Sequence, residues 1–525
     1  MKRTAVFLTA VLVFAGGFAR PRAASSQPKG TWLNVRSYGA LGDGLTDNTD
    51  VVQHLVDLAS SRGGGTVYFP PGVYLQGAVQ LKSNVTVWID RGAEVRGNAS
   101  RLTSGEAVFR DSHGKPFGPA LFMADSALNV CLRGGGVIDG RGFKDIYPPR
   151  GPKPRPLLLL FRACKNVLVE NLTLRNSAAW VQDYILCSDV RIRGVTVRSF
   201  SNANNDGLDI DGSQRVLVTE CNINSEDDAI VLKSLSTQPC RDVVISNCVI
   251  SGLKSAIKFG TESLGGFENV TITNCAIYGT RGIDLFSVDG GTLRNVTISN
   301  IAIRDAYGVL SIRLGARMRP YGVPKSTRPR GPGIVSDILV SNVVAQGISK
   351  SNDFIAGIPG HPVERVTLRD IRVRYRGGGS VAAVQRALPE KEASYPKKGM
   401  FGTLPAYGLT IRHARDVRIF NLDVDFEQPD GRPALYAEDA SDLVVSGLHA
   451  AVTDSTPACV WLKNVSGTHL SAFGFRGTPR ALLHVEGQRS DKIFVSDWGL
   501  PNFARILDLG PGTPTDEVRL QRQGP

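Results

Sequence analysis

The residues best suited to do chemistry in this chain are three aspartates. Asp206 lies in NNDGLDIDGS (Asn204 to Ser213), and Asp227 and Asp228 lie in NSEDDAIVLKS (Asn224 to Ser234), 21 and 22 residues later. If that interval is one turn of a repeating coil, the three carboxyl groups share one face in neighbouring layers. Carboxylates held that close repel, so at least one gains proton affinity while the others stay ionised. This is the division of labour that glycosidic hydrolysis requires. One group protonates the leaving oxygen, a second activates water, and a separation of roughly 6.5 to 9.5 Å predicts inversion at the anomeric carbon. Asp and Asn also form turns, and spacing alone leaves that structural role open.

A coil interval needs a repeating element, and the sequence has one. A β-branched run, a polar corner and a second aliphatic pair recur in VLVENLTL (from Val167), VRIRGVTV (Val190), VLVTECNI (Val216), VVISNCVI (Val243), VTITNCAI (Val270) and VTISNIAI (Val296). ILVSNVVA (Ile338), VTLRDIRV (Val366) and VRIFNLDV (Val417) continue the series. The corners at Asn171, Gly194, Glu220, Asn247, Asn274 and Asn300 are 23, 26, 27, 27 and 26 residues apart, a solenoid period. Units so rich in Val, Ile and Thr are not helical repeats. The pattern predicts an all-β chain: a single-stranded right-handed parallel β-helix, in which equivalent residues of successive coils stack about 4.8 Å apart.

The open end of a solenoid must be covered. Asp47 to Arg62 is expected to form an N-terminal capping helix, with Asp47 as N-cap, a stripe of Val51, Val52, Leu55 and Leu58, and Gly63 as terminator. Two corner intervals are long. The step of 42 from Asn300 to Asn342 holds Arg317, Arg319, Lys325, Arg328 and Arg330, and the step of 51 from Asp370 to Asn421 holds SYPKKGMFGTLPAYG. Long loops on a regular scaffold are where binding residues tend to sit, although each also reads as solvated surface. The loop from Gly377 to Tyr407 is expected to close one end of a cleft and favour attack on chain ends.

Composition and the ends bound the compartment and the partners. The 525 residues are 42% hydrophobic with 57 glycines and a net charge of +13, which excludes a disordered or collagen-like chain and agrees with repeated turns. Lys2 and Arg3, the apolar run Ala5 to Phe18 and the small residues Ala23 to Ser25 read as a secretory signal over residues 1–24, followed by one β-helix domain over 30–510. Removing Lys2, Arg3, Arg20 and Arg22 with the leader leaves +9. The expected product is secreted or periplasmic, has no membrane span, and is a monomer whose basic surface attracts an acidic polysaccharide. Nucleic acid is not expected, because the basic residues form no recognised module. The eight cysteines show no CxxC or HExxH spacing, so no metal or cofactor is expected. Cys221, Cys248 and Cys275 predict a buried ladder of thiols, and a disulfide involving Cys240 stays open.

The acid motifs resemble the Asn-Thr-Asp and Asp-Asp motifs of glycoside hydrolase family 28, the polygalacturonase-like family of right-handed parallel β-helices. The likeness also covers VRSYGALGDGLTDNT (Val35 to Thr49), VYFPPGVY (Val67 to Tyr74), GGGVIDGRG (Gly134 to Gly142), RPLLLLFRACKNVLVENLTLRNSAAW (Arg155 to Trp180) and GTESLGGFENVTITNC (Gly260 to Cys275). The resemblance implies that Asp227 is the general acid and that Asp206 and Asp228 hold and deprotonate the attacking water. Asn205 stands where the family has Thr, and Lys233 is implied at the cleft edge, able to bind a substrate oxygen.

Two family motifs are absent. Lys254 replaces the histidine of Gly-His-Gly, and Asp284, Leu285 and Phe286 stand where Arg-Ile-Lys would grip a substrate carboxylate. An aspartate cannot replace a bidentate arginine without inverting the local field. Sugar recognition is therefore expected to be rewritten, with Lys254, Lys258, Glu262, Asp284, Arg313 and the ring of Trp180 as candidates. Retained acids with Lys258 and Glu262 resemble the divergent bacterial branch of the family, in which the sugar and linkage vary. The expected activity is inverting hydrolysis of a pectic or related polysaccharide. The alternatives are a non-catalytic carbohydrate-binding β-helix and a calcium-dependent, pectate-lyase-like eliminase.

Overall fold

The computed structural model describes residues 31–103, 109–110, 116–151, 154–496 and 505–521. The leader expected at residues 1–24 lies outside them. Strand pairing runs coil on coil from Thr31–Asn34 to Val518–Gln521, and almost every pairing is parallel. The chain is a parallel β-helix, as its repeat predicts, and pairing continues past residue 510.

The β-branched residues of the repeat line up in a single inward column. Val167, Val190, Val216, Val243, Val270, Val296, Ile338, Val366 and Val417 pair in succession, and all are buried. Similar side chains stacked at one spacing fill the bore without gaps, so packing and register specify each other.

The polar corners follow from backbone sterics. The chain turns sharply there in the left-handed region, with φ of 56° at Asn171, 58° at Glu220 and 56°, 55° and 56° at Asn247, Asn274 and Asn300. Asn tolerates that region better than most residues, and Gly194, with φ of 62°, meets it without a Cβ. The amides also stack: Asn274 donates to Asn247 at 3.3 Å, Asn300 to Asn274 at 3.0 Å and Asn342 to Asn300 at 3.1 Å. Asn421 likewise donates to Asp370 at 2.8 Å. Corners 42 and 51 residues apart are thus adjacent, and the two long loops leave the solenoid without disturbing its register.

Helix α1 (Thr49–Ser61) covers the first coils with Val52, Leu55, Val56 and Ala59 buried and Val51 and Leu58 partly so. Its N-cap is Asn48, which corrects the expectation of Asp47. Asn48 is committed to the preceding turn, where it accepts from the Leu41 amide, and Asp47 accepts from the Thr49 amide at 3.3 Å. All eight cysteines are free. Cys221, Cys248 and Cys275 are buried, and each thiol donates to the carbonyl two residues back, an internal use of small side chains.

One face of the solenoid carries the acids. It is built from β1 (Gln182–Ile185), β2 (Leu208–Asp211), β3 (Ile230–Ser234), β4 (Ile257–Ser263), β5 (Ile283–Ser287) and β6 (Leu310–Leu314), paired in that order. Their outward positions carry charge where a surface sheet would normally be merely polar: Asp183, Asp209, Val231, Lys258 and Asp284 fall in one row, with Val231 its one apolar member.

The corner ladder generates a stability test. Asn274→Val removes two inter-coil hydrogen bonds and places a β-branched residue at positive φ, at a cost of about 1–2 kcal/mol. The expected outcome is a lower thermal unfolding midpoint by circular dichroism, and an unchanged midpoint would show that the ladder contributes no stability.

Candidate active site

A pocket on this face is lined by Trp180, Asn204, Asp206, Asp227, Asp228, Lys233, Lys258 and Glu262, with Val231, Gly260, Thr261 and Tyr395. Coil-to-coil pairing assembles it. The Gly207 amide donates to the Asp228 carbonyl at 2.9 Å and the Asp227 amide to the Asn205 carbonyl at 3.4 Å. A Cβ at Gly207 would meet the Ala229 carbonyl oxygen at 2.6 Å, so the Asp-Gly pair lets the two turns close on each other. Buried Asn205 holds this turn. Its amide donates to the Ser177 and Ala179 carbonyls at 3.0 and 2.8 Å, and its oxygen accepts from Ser199 at 2.9 Å and from the Asn202 amide at 3.2 Å. Arg155 reaches the same turn, donating to Asn204 at 2.9 Å.

Two buried lysines lie among the acids. The Lys258 ammonium is 2.6 Å from Asp228 Oδ2, and the Asp228 Oδ1 accepts from the Ser255 amide at 2.9 Å. The Lys233 ammonium lies 2.9 Å from Asp209 and 3.4 Å from Asp206. It also sits 3.2 Å from the centre of the Trp180 ring.

These surroundings drive neighbouring acids in opposite directions. Burial raises the proton affinity of Asp227, and the negative charge of Asp228 adds to it. Burial acts the same way on Asp228, but the Lys258 ammonium and the hydrogen bonds from Lys258 and Ser255 outweigh it, so Asp228 is held below the usual carboxylate range. Asp206 is pushed well up by burial and by the charges of Asp209, Asp227 and Asp228, with Lys233 opposing. Burial opposes the charge on Lys233 and Lys258 too, yet their carboxylate partners keep both protonated. The pocket therefore sets the half-buried Asp227, whose proton affinity is raised, beside Asp228, whose ionised form is favoured.

Not every expected site residue reaches the pocket. Asp284 is buried behind it, accepting from the Ser255 hydroxyl at 2.7 Å, and its neighbouring cation is Lys398 at 3.8 Å. Arg313 is buried as well. It donates to the Gly357 and Glu390 carbonyls at 2.6 and 2.8 Å, and so anchors a loop instead of a sugar. Lys254 is partly exposed beyond the pocket rim, where its charge opposes the rise at Asp227. Lys233 is not at the cleft edge but beneath it, 4% exposed and committed to protein carboxylates. Its ammonium covers the Trp180 ring, which is therefore not an open stacking platform.

The sequence did not single out Tyr395. It comes from the 377–408 loop, whose base packs Leu388, Met400, Phe401 and Leu404 against Phe286 and Phe354. Arg412 donates to the Leu388 carbonyl at 3.0 Å and His413 pairs with Glu390 at 3.1 Å. Thus anchored, Tyr395 accepts from the Lys258 ammonium at 3.3 Å and roofs the pocket. Asp209, the closest partner of Lys233, also went unnoticed; the alternation in LDID is the signal that places it outward.

The family model described as "Glycosyl hydrolases family 28" matches residues 66–394. The chain belongs to this family. Among its relatives, a probable polygalacturonase of Vitis vinifera is 29% identical over 213 residues, 38% of this chain and 43% of the relative. The exo-poly-alpha-D-galacturonosidase of Dickeya chrysanthemi is 24% identical over 249 residues, 38% of this chain and 41% of the relative. The chain thus spans less than half the length of these curated relatives. The family 28 fold is shared with two solved structures, each 20% identical with a TM-score of 0.60. They are an exopolygalacturonase of Thermotoga maritima (75% of this chain, 92% of that chain) and a family 28 exopolygalacturonase of Yersinia enterocolitica (79% and 78%).

The opposed acids yield a pH test. An activity needing Asp227 protonated and Asp228 ionised falls on the alkaline side as Asp227 loses its proton above its raised pKa. On the acid side it falls as Asp228 gains one below its lowered pKa. Lys258→Met removes the cation that lowers Asp228, so the acid limb of the kcat/KM profile is expected to move to higher pH with the alkaline limb less affected. An unmoved acid limb in a folded variant would separate Lys258 from the ionisation of Asp228.

Proposed function

We propose that the protein is an exported glycoside hydrolase that cleaves a galacturonic-acid-containing polysaccharide from its chain end with inversion. The observation that carries this reading is the convergence of Asp206, Asp227 and Asp228 in one pocket, with the proton affinities of Asp227 and Asp228 driven apart. Asp227 protonates the glycosidic oxygen as the bond breaks. Asp228 takes a proton from the attacking water, and Asp206, one coil away, holds that water from the other side. Family membership and relatives described as acting on polygalacturonate support the substrate class.

End-directed cleavage is supported by the roof. Tyr395 stands over Lys258 on a loop tied down by Arg412 and His413, so the pocket is shaped for a terminal sugar more than for the middle of a chain. Lys233 and Lys258 occupy the spaces between the acids with ammonium groups, which favours hydrolysis over an eliminase that would gather the same carboxylates round calcium. Export is supported by the signal-like pattern of residues 1–24. Among the described residues no helix is long and apolar enough to cross a membrane, and the protein is proposed to act as a monomer.

Reducing-end release from polygalacturonate, rhamnogalacturonan and neutral glycans tests the reading. The acidic polymer is expected to be cleaved, with monosaccharide or disaccharide products from the outset and the inverted anomer first in NMR spectra. Asp227→Asn is expected to lower kcat by about 10² to 10⁴-fold. Undiminished activity in that variant would remove Asp227 from the mechanism, and early release of longer oligosaccharides would contradict end-directed attack.

A further inference from the structure

Beyond the roofed pocket, the turns that follow Asp227 in successive coils form a continuous groove. Backbone bonds fix their stacking: the Arg281 amide donates to the Lys254 carbonyl at 2.7 Å, Tyr307 to Thr280 at 2.8 Å and Lys350 to Tyr307 at 3.1 Å. Two concavities of about 490 and 340 Å³ follow this line and meet at Tyr307 and Gly399. Neither is lined by a carboxylate-bearing residue. Arg281 and Lys397 line the first and Lys350 the second, together with Lys398 and Arg432, which are neutralised by Asp353 at 3.3 Å and Asp430 at 2.7 Å.

Three cations of this groove have no carboxylate partner among the described residues, whereas several arginines at other corners do. Arg215 is paired with Asp189 at 2.7 Å and Arg365 with Asp337 at 2.6 Å in the neighbouring coil, and Arg476 with Asp423 at 2.8 Å two coils away. Arg281, Lys350 and Lys397 make no ion pair with any described residue, and Lys350 and Lys397 are exposed. Loose cations left unneutralised along one groove cost the fold self-repulsion, which an external polyanion relieves. The half-buried ring of Tyr307 separates them midway and offers an apolar surface between charges. From Lys254 to Lys350 the groove crosses three coil steps, about 14 Å at the usual strand spacing.

We propose that this groove is a second binding surface, which holds the trailing part of a carboxylated polysaccharide whose end occupies the roofed pocket. The inference rests on the hydrolase reading for the identity of the polymer. Because Lys397 lies two residues from Tyr395, the 377–408 loop that closes the pocket also supplies one wall of the groove. The chain is thus gripped by charge distributed along its length instead of at the lost Arg-Ile-Lys position.

The test measures binding without turnover. Titration calorimetry compares the full chain carrying Asp227→Asn with the same chain carrying also Arg281→Gln and Lys350→Gln. The ligands are polygalacturonate at low and high salt and its fully methyl-esterified form, with thermal midpoints recorded to show that both proteins fold. The two charge removals are expected to weaken polygalacturonate binding about tenfold at low salt. The difference should shrink at high salt, where screening is strong, and be absent for the esterified polymer. Equal low-salt affinities, or an equal loss for the esterified polymer, would overturn the proposal. If the unsubstituted enzyme cleaves no galacturonan while the charge-dependent binding persists, the hydrolase reading fails and the groove stands.

Discussion

Parallel hydrogen bonding between successive coils decides which side chains meet in this protein. It brings residues 20 to 30 positions apart into contact, so that one interval places valine on valine in the bore, asparagine on asparagine at the corners, and Asp206 beside Asp227 and Asp228. Packing and catalytic geometry are therefore one problem. A slip of a single residue in any coil would turn a buried column outward and disperse the acids.

That register creates an electrostatic difficulty which the lysines relieve at Asp206, Asp209 and Asp228. Asp183, Asp206, Asp209 and Asp228 are all buried on one face, where isolated ionised carboxylates are costly. Lys233 sits within ion-pair reach of Asp206 and Asp209 and Lys258 of Asp228, while no lysine reaches Asp183 among the described residues, so the pairing is uneven. Asp228 receives a short contact at 2.6 Å and an amide hydrogen bond, whereas Asp206 shares one ammonium with Asp209. The unevenness separates Asp228, held below the usual carboxylate range, from Asp206 and Asp227, whose proton affinities are raised. A symmetrical arrangement would have left the acids chemically alike and without a division of roles.

The parts legible in the sequence are those governed by backbone sterics and by the coil interval. Positive φ restricts the corners to Asn, Gly and similar residues, so Asn171 through Asn300 could be marked from residue type and step alone. The acids were legible because 21 and 22 residues is close to one coil. Legibility fails where side-chain direction or loop folding decides. Spacing put Lys233 near the acids but could not show that its ammonium is committed to Asp209 and lies against the Trp180 ring. Asp284 and Arg313 lie on the correct face, yet the 377–408 loop packs across it and turns Arg313 into an anchor. That loop has no period, and its path is set by contacts such as Phe401 on Phe354, so nothing local marked Tyr395 as a roof. The N-cap shifted from Asp47 to Asn48 for a similar reason, since Asn48 serves the preceding turn through Leu41.

Asp227 and Asp228 are proposed to act on opposite sides of one glycosidic bond beneath Tyr395. A crystal structure of Asp227→Asn with a short galacturonate oligomer bound tests this most directly. The bridging oxygen is expected within about 3 Å of residue 227, with a water held by Asp228 on the far side of the terminal sugar. An oligomer seated with its glycosidic oxygens remote from residue 227, or running unbroken past Tyr395 in both directions, would contradict it.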